Sequence, residues 1–183
     1  MRIEEIAEQK KVLRRRIKEL KKANTKEESI RNSRNIFMQV ETLNEFINSK
    51  TILAYWSLPD EVQTHEFVTK WSKTKQFALP LIVGETLELR LFSGLDNLKP
   101  VGSFGILEPL TGKLISPNDI DFAVIPGVAF DIKGNRLGRG KGYYDRILNQ
   151  IKGKKVGVGF NFQIVENVPT SNFDIPVDLV ISN

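Results

Sequence analysis

Cysteine is absent from the 183-residue chain, and histidine occurs only once, at position 65. The missing thiols exclude disulfide bridges, cysteine nucleophiles and cysteine-based zinc sites. A Ser-His-Asp triad would have to use His65, but this residue precedes Glu66 at a predicted helix start, and no nucleophile-elbow motif occurs in the chain. We therefore predict that His65 is a surface or capping residue.

Long apolar runs are also missing. No segment approaches the roughly 20 apolar residues that span a bilayer, and the first five residues carry acids instead of the apolar core of a signal peptide. A chain of this length usually forms one domain and buries roughly 70% of its unfolded surface. We therefore expect a single domain over residues 1–183, with no membrane partner. The lack of cysteine fits a reducing cytoplasm.

The positive charge is confined to one end of the chain. The formal net charge is +5, yet residues 1–26 hold ten Lys or Arg against four Glu, so the remainder of the chain is nearly neutral. A basic helix without interleaved aromatic residues supports only weak, salt-sensitive contact with nucleic acid. We therefore expect no nucleic-acid partner and favour a solvated helix on which Lys10 and Arg14, four residues apart, contact one phosphate group. RNA association through this helix is the rival interpretation.

Short apolar runs bounded by turns predict buried strands at residues 51–55, 77–83, 122–125, 156–160 and 179–181. Helices are predicted between several of them, at residues 64–73 with Thr64 as cap and at residues 141–151. This alternation predicts an α/β fold with crossover connections and a mainly parallel sheet. Residues 86–92 alternate more strictly, which predicts an antiparallel or edge strand.

Two further helices are predicted before the first strand. The apolar residues between Ile3 and Leu20 recur with helical spacing. A second helix begins after Thr25, whose spacing to Glu28 is that of a capping box, and a break is expected near Thr42.

A glycine-rich basic segment at residues 126–146 is the most informative stretch of the sequence. Gly138, Gly140 and Gly142 let the backbone approach a ligand closely. The positive charge around them comes from Arg136, Arg139, Lys141 and Arg146. The pattern favours a polyphosphate ligand, and Asp145 adds a carboxylate for a magnesium ion that bridges phosphates. The spacing matches neither a Walker loop nor a Rossmann fingerprint, so a purely structural turn is the alternative.

The segment 126–146 resembles the signature of the 5-formyltetrahydrofolate cyclo-ligase family, also called methenyltetrahydrofolate synthetases. A second resemblance covers residues 51–64, where an apolar strand leads into Trp56-Ser57-Leu58-Pro59-Asp60-Glu61. A third is Lys10-Lys11-Val12-Leu13-Arg14, which is similar to the basic helix that family members use at the ATP phosphates. The three segments occur in family order and span nearly the whole chain.

The resemblance implies a three-layer fold of the ribose-isomerase and CoA-transferase type. It also implies ATP as co-substrate, Mg²⁺ as cofactor and 5-formyltetrahydrofolate as substrate. The implied ATP contacts are Lys10, Arg14, Arg136, Leu137, Gly138, Arg139, Gly140, Lys141, Gly142, Tyr143 and Tyr144. The implied folate contacts are Trp56, Glu61, Arg139, Gly140, Lys141, Gly142 and Tyr143. Arg139 and Lys141 would be catalytic.

The implied metal ligands are Asp145 and Asp178. The loop before Asp178 departs from the family pattern, because Phe173-Asp174 stands where many members have His-Asp. From the residues alone, Trp56 is also consistent with core packing and Glu61 with a helix cap. Two functional rivals stay open: a nucleotide-binding module without ligase chemistry, and an RNA-associated protein.

Overall fold

Five helices and three sheets make up the described part of the chain. The structure is a computed structural model that describes residues 3–101 and 106–183, with side chains described for residues 4–101 and 107–183. The helices are α1 (Ile3–Lys21), α2 (Lys26–Val40), α3 (Asn44–Asn48), α4 (His65–Trp71) and α5 (Tyr143–Leu148). The capping box is confirmed, because Thr25 and Glu28 each accept a hydrogen bond from the other's backbone N–H. The expected break near Thr42 separates α2 from α3.

Seven strands form the main sheet, in the order β12-β10-β7-β1-β2-β3-β6. They are β1 (Thr51–Leu53), β2 (Gln76–Val83), β3 (Thr86–Leu91), β6 (Leu114–Ile115), β7 (Phe122–Pro126), β10 (Lys154–Val158) and β12 (Leu179–Ile181). The first five in spatial order are parallel, whereas β3 pairs antiparallel with β2 and β6 pairs antiparallel with β3. The predicted, mainly parallel sheet is therefore confirmed, and β6 covers the outer edge of β3.

Two small sheets lie outside the main sheet. One pairs β4 (Leu98–Val101) with β5 (Ile106–Pro109), and the other pairs β8 (Ala129–Asp131) with both β9 (Arg136–Leu137) and β11 (Ile164–Val165). The glycine-rich segment 126–146 thus contains the β8–β9 hairpin.

The core lies on both faces of the main sheet, because side chains alternate along each strand. In β1, Ile52 packs with the α2–α4 layer, whereas Leu53 packs with the layer that contains α5. In β7, Phe122 and Val124 face the first layer, and Ala123 faces the second. The result is the predicted three-layer arrangement of helices, sheet and α5 with its neighbouring loops.

Helix α1 packs against the β8–β9 hairpin. Its buried residues Leu13 and Ile17 lie in a third cluster with Ala129, Leu137 and Val168. The predicted stripe is wrong at Leu20, which is 41% exposed, and the side chain of Ile3 lies outside the described set. The basic helix is thereby held beside the glycine-rich segment.

Several predicted boundaries differ from the observed ones. Strand β1 ends at Leu53 because the chain then turns into a loop that is hydrogen-bonded within itself. Helix α5 is shorter than predicted, since the left-handed Gly142 precedes its first residue. None of the helices in the described part of the chain combines the length and the apolar character that a bilayer crossing requires.

Candidate active site

The strand order reverses between β1 and β7. From β1 the chain continues to β2 on one side, while β7 is followed by β10 on the other. A crevice opens beyond the carboxyl ends of strands at such a point, which is where open α/β sheets bind ligands. Here it contains a cleft of about 1090 Å³ that is lined by α1, by the loop after β1 and by the glycine-rich segment.

The loop after β1 is held by Thr64. The Thr64 hydroxyl donates to the carbonyl of Tyr55 and accepts from the N–H of Ser57 at 3.1 Å, while the N–H of Thr64 donates to Ser57 Oγ at 3.1 Å. Thr64 precedes helix α4 as predicted, but its side chain does not cap the helix. It closes the loop that carries Trp56 and Glu61.

His65 stacks on Trp56. The ring centroids are 4.2 Å apart with planes inclined by 20°, and His65 Nε2 lies 3.1 Å from the carbonyl of Ser57. Burial lowers the pKa of His65 and favours the neutral ring. The prediction of a surface or capping residue is therefore wrong. This stack could not be predicted from the sequence, since Trp56 and His65 stand nine positions apart and meet only through the loop that Thr64 closes.

Trp56 is half-buried and lines the cleft. It packs partly against the apolar core, with Phe92 at a ring-centroid distance of 5.8 Å. The indole thus has a packing role, and its exposed part contributes to the lining of the cleft.

Glu61 joins the loop after β1 to the glycine-rich segment. Its Oε2 accepts from the N–H of Leu58 at 3.0 Å, and its Oε1 accepts from Arg139 Nη2 at 2.9 Å. The neighbouring Asp60 also accepts from Arg139, at 3.0 Å, and pairs with Lys21 of α1 at 2.8 Å. Three predicted segments of the site therefore meet in one ion-pair network.

The base of the glycine-rich segment is fixed by Asp131. Its buried carboxylate accepts from the N–H groups of Lys133, Asn135 and Val168 at 2.9–3.0 Å, and from the Asn135 amide at 2.9 Å. Burial raises the pKa of Asp131, but these hydrogen bonds outweigh it, so the pKa lies below its usual value. The hairpin turn is thus tied to the loop that carries Val168.

The tip of the segment is open. Gly140 and Gly142 have φ values of +105° and +66°, in the region that only glycine adopts readily. Between them Lys141 is exposed and makes no hydrogen bond or ion pair with any residue that the structure describes. An exposed cation between two glycines of positive φ is compatible with an anionic ligand.

Arg136 is not at the tip, although the sequence grouped it with the other cations. It is 4% exposed, donates to Asp145 Oδ1 at 2.9 Å, and lies 5.5 Å from the centre of the Tyr144 ring. Its Nε has no hydrogen-bond partner among the described residues. Arg136 therefore supports the start of α5 from below while lining the cleft.

Helix α1 brings two cations to the cleft, as predicted. Lys10 pairs with Asp174 at 2.6 Å, and Arg14 Nε donates to the carbonyl of Gly138 at 2.9 Å. Both residues line the cleft. Arg14 thus contacts the glycine-rich segment directly, and Lys10 is shared with the segment around Phe173.

The two predicted metal ligands are not brought together. Asp145 lines the cleft, whereas Asp178 lies at the amino-terminal edge of β12 and accepts from the N–H of Lys155 at 2.7 Å. Across residues 3–101 and 106–183, no group of three or more acidic or histidine side chains could hold a metal ion. A magnesium ion at Asp145 would therefore be held mainly by phosphate oxygens and water, as Mg²⁺ often is.

An apolar wall of the cleft was missed by sequence reasoning. It comes from β2, β3 and β5 and consists of Leu79, Pro80, Ile82, Leu87, Leu107 and Pro109. Glu108 lies within this wall at 6% exposure, its Oε2 has no hydrogen-bond partner among the described residues, and burial raises its pKa. The alternation in residues 86–92 marked the strand, but only the tertiary structure turns it toward the cleft.

Comparisons with known proteins identify the family of the chain. The model of the 5-formyltetrahydrofolate cyclo-ligase family matches residues 6–183. The 5-formyltetrahydrofolate cyclo-ligase of Mus musculus is 32% identical over 187 residues, covering 94% of this chain and 92% of that protein. That of Haemophilus influenzae is 37% identical over 137 residues, covering 70% and 73%.

A solved structure gives the same result. The NMR structure of Aquifex aeolicus 5,10-methenyltetrahydrofolate synthetase matches with a TM-score of 0.85 and 39% identity, covering 94% of this chain and 89% of that one. The chain belongs to the 5-formyltetrahydrofolate cyclo-ligase family and is an enzyme of the ligase class.

Proposed function

We propose that the protein, acting as one domain, cyclises 5-formyltetrahydrofolate to 5,10-methenyltetrahydrofolate with ATP and Mg²⁺, releasing ADP and phosphate. The observation that carries the proposal is the ion pair of Arg139 with Glu61, with Nη2 and Oε1 2.9 Å apart. It joins the segment suited to phosphates to the loop suited to the folate ring. A nucleotide-binding module alone would make no use of Trp56 and Glu61.

The chemistry needs ATP because the formyl oxygen is a poor leaving group. In the proposed reaction this oxygen attacks the γ-phosphorus of ATP and ADP departs, which leaves a phosphorylated, iminium-like formyl group. N10 then attacks the formyl carbon and loses its proton to the departing phosphate, as the bond between carbon and oxygen breaks. The protein has mainly to position two substrates and to balance charge, as is usual for phosphoryl transfer.

Different parts of the cleft would bind the two substrates. The N–H groups of the glycine-rich tip, Arg139 and Lys141 would hold the phosphates, with Lys10 and Arg14 closing from α1. Trp56 and the apolar wall would bind the folate ring, which Glu61 would orient by a charged hydrogen bond. A protein nucleophile is not required.

Magnesium would be held by Asp145 together with phosphate oxygens and water. Asp145 Oδ1 is already bonded to Arg136, which leaves Oδ2 for a metal among the contacts described. When bound, the ion would supply neutralisation of phosphate charge. Asp178 has no part in this proposal, because it lies at the amino-terminal end of β12, whereas the cleft lies beyond the carboxyl ends of the parallel strands.

The test is to incubate the purified protein with 5-formyltetrahydrofolate, ATP and MgCl₂ and to follow the absorbance of the methenyl product. We expect product only when all three are present, in amounts equal to the ADP released. ADP release without methenyl product would favour a nucleotide-hydrolysing module. If neither methenyl product nor ADP forms, the proposed function is contradicted.

A further inference from the structure

Glu108 differs from the other acids of the cleft in having no cation bound to it. The described lining contains four acids, which are Glu61, Asp145, Asp174 and Glu108. The first three form ion pairs at 2.6–2.9 Å, in that order with Arg139, Arg136 and Lys10. Glu108 has no ion pair with any residue that the structure describes. Among the acids of this lining it is therefore the one whose charge is left for a ligand.

The surroundings of Glu108 are apolar and nearly closed to water. The residue lies in β5 between Leu107 and Pro109 and is 6% exposed. The backbone N–H of Ile82 donates a hydrogen bond to the carboxyl group, but Oε2 has no hydrogen-bond partner among the described residues. Burial outweighs the Ile82 hydrogen bond and raises the pKa of Glu108. The empty cleft thus gives the carboxylate fewer hydrogen bonds than it can accept.

This arrangement does not serve the stability of the fold. A buried carboxylate without full hydrogen bonding destabilises the folded state, and an apolar side chain of similar size would pack in the same wall without that cost. Buried polar groups of native proteins are otherwise satisfied almost throughout. An acid with a raised pKa in the wall of a cleft is instead typical of a group that acts on a ligand.

The missing hydrogen bonds call for uncharged N–H donors on a flat, largely apolar group. The pyrimidine part of a folate ring presents two such donors side by side, the amino group on C2 and the N–H at position 3, and these match the two oxygens of a carboxylate. The adenine of ATP instead presents its amino group beside ring nitrogens that accept, so a carboxylate fits at one atom only. Leu79, Ile82 and Leu107 supply apolar contacts for a flat ring in the same wall.

We propose that Glu108 selects the folate ring by accepting hydrogen bonds from its 2-amino group and from N3–H. This inference rests on the proposed function. The terminal torsion of a glutamate is broad, so the carboxyl group can turn an oxygen toward the cleft. Glu61 is held by Leu58 and Arg139 and keeps a separate role, for which the ring offers its N8–H. The low polarity around Glu108 strengthens the bonds that it makes to the ring.

The experiment removes one partner of the proposed contact from the substrate and the other from the protein. The substrates are 5-formyltetrahydrofolate and its 2-desamino-2-methyl analogue, in which a methyl group replaces the 2-amino donor. The variants are Glu108→Gln and a matched control, Glu88→Gln. Glu88 lies on the neighbouring strand β3, pairs with Arg90 at 2.7 Å and is outside the lining of the cleft. The KM and kcat for both folates and the KM for ATP are measured for each protein.

We expect the wild type to have a KM for the analogue at least about tenfold higher than for the natural substrate, because a charged hydrogen bond is lost. Glu108→Gln should raise the KM for the natural substrate by a similar factor and should reduce the ratio between the two folates to about threefold or less. Glu88→Gln should keep the wild-type ratio. The KM for ATP should be the same in all three proteins, and a merely structural role of Glu108 would not change the ratio between the folates.

Equal KM values for the two folates in the wild type would overturn the inference while leaving the proposed function intact. A ratio in Glu108→Gln as large as that of the wild type would also overturn it, since the 2-amino group would then have another partner. A rise in the KM for ATP alone would assign Glu108 to the adenine ring instead. If the folded wild type converts neither folate, the proposed function fails and this inference fails with it.

Discussion

Arg139 and Glu61, which both line the cleft, form an ion pair with Nη2 and Oε1 2.9 Å apart. Burial lowers the pKa of Arg139, but Glu61 and Asp60 outweigh it and raise the pKa. The cation proposed for the phosphates and the carboxylate proposed for the folate ring thus satisfy each other when both substrates are absent. In the proposed site, the ATP phosphates therefore compete with Glu61 for Arg139, and the folate ring competes with Arg139 for Glu61.

Replacing Glu61 by Gln should weaken folate use much more than ATP use. A lost charged hydrogen bond corresponds to roughly a tenfold to hundredfold increase in the KM for folate. The KM for ATP should stay the same or fall slightly, because Arg139 loses a competing partner. Steady-state kinetics with each substrate varied in turn measure both effects. Glu66→Gln is the control, since Glu66 is exposed and pairs with Arg34 away from the cleft. An unchanged KM for folate in Glu61→Gln would remove this residue from the site.

Removing both Lys10 and Arg14 as alanines should raise the KM for ATP about tenfold, because two charge-assisted phosphate contacts are lost. The matched control is Lys11→Ala with Arg15→Ala, which deletes the same residue types one position further along the helix, where both are exposed. The site variant also loses the part-buried pair with Asp174, so thermal melting must accompany the kinetics. Similar ATP kinetics in the two double variants would contradict a phosphate contact from α1.

Lys141→Ala should fold like the wild type and turn over at least tenfold more slowly. The side chain is exposed and has no partner among the described residues, so its loss costs little stability. Turnover depends on it because charge on the transferred phosphoryl group would lose an electrostatic partner. Circular dichroism and kcat give the two readouts. Lys152→Ala controls for the loss of one lysine outside the lining of the cleft. A wild-type kcat in Lys141→Ala would favour the interpretation of the loop as a structural turn.

Asp145→Asn should chiefly raise the magnesium concentration needed for half-maximal activity, because the proposed metal ligand loses its charge. Asparagine keeps an oxygen for Arg136. Alanine would instead leave a buried guanidinium unpaired, at a cost on the order of 3 kcal/mol, and should lower the melting temperature. The comparison is Asp178→Asn. It should leave the magnesium requirement unchanged, and the opposite ranking of the two asparagine variants would restore Asp178 as the ligand.

Glu108→Gln should stabilise the protein at neutral pH. Burial raises the pKa of Glu108 in the folded state, so the protonated form favours folding. This contribution is present below the unfolded value of about 4.3 and is lost as pH rises through the folded pKa. Lys99 lies across the β4–β5 pair but forms no ion pair with Glu108 among the described contacts. The melting temperature of the variant should therefore exceed that of the wild type at about pH 7, with a smaller difference at about pH 4. A constant difference across this range would contradict a buried, titrating carboxyl.

The sequence predicted the local parts of this structure better than the contacts between them. Apolar runs predicted the five parallel strands of the main sheet, since a strand buried on both faces needs apolar residues at every position, whereas β6 was not predicted. Thr64 stands at the predicted N-cap position of α4, but its hydroxyl closes the preceding loop instead of capping the helix. Whether the Thr64 hydroxyl caps the helix or closes the loop depends on where β1 ends, and the sequence does not show that β1 ends at Leu53.

Within the site, the residue types were predicted but their pairings were not. Arg136 and Arg139 stand three positions apart and look alike in the sequence, yet one is buried under α5 and the other reaches Glu61. The difference arises because Arg136 belongs to β9 of the β8–β9 hairpin, whereas Arg139 lies beyond the end of the hairpin. Asp178 could not be located from sequence, because its distance from Asp145 depends on the direction of β12 relative to the cleft.

Asp131 makes the glycine-rich segment a structure of two unlike halves. Four hydrogen bonds hold its lower half, whereas the upper half contains two glycines with positive φ and is held by contacts of Gly138 with Arg14 and of Arg139 with Asp60 and Glu61. Phosphate binding thus needs to order only a few residues, and the entropy lost on binding is correspondingly small. Acid should affect the two halves differently. The stability that Asp131 contributes is present above its unfolded pKa and is lost as pH falls through the lower folded pKa, so the anchor loosens only in acid strong enough to protonate the folded carboxylate.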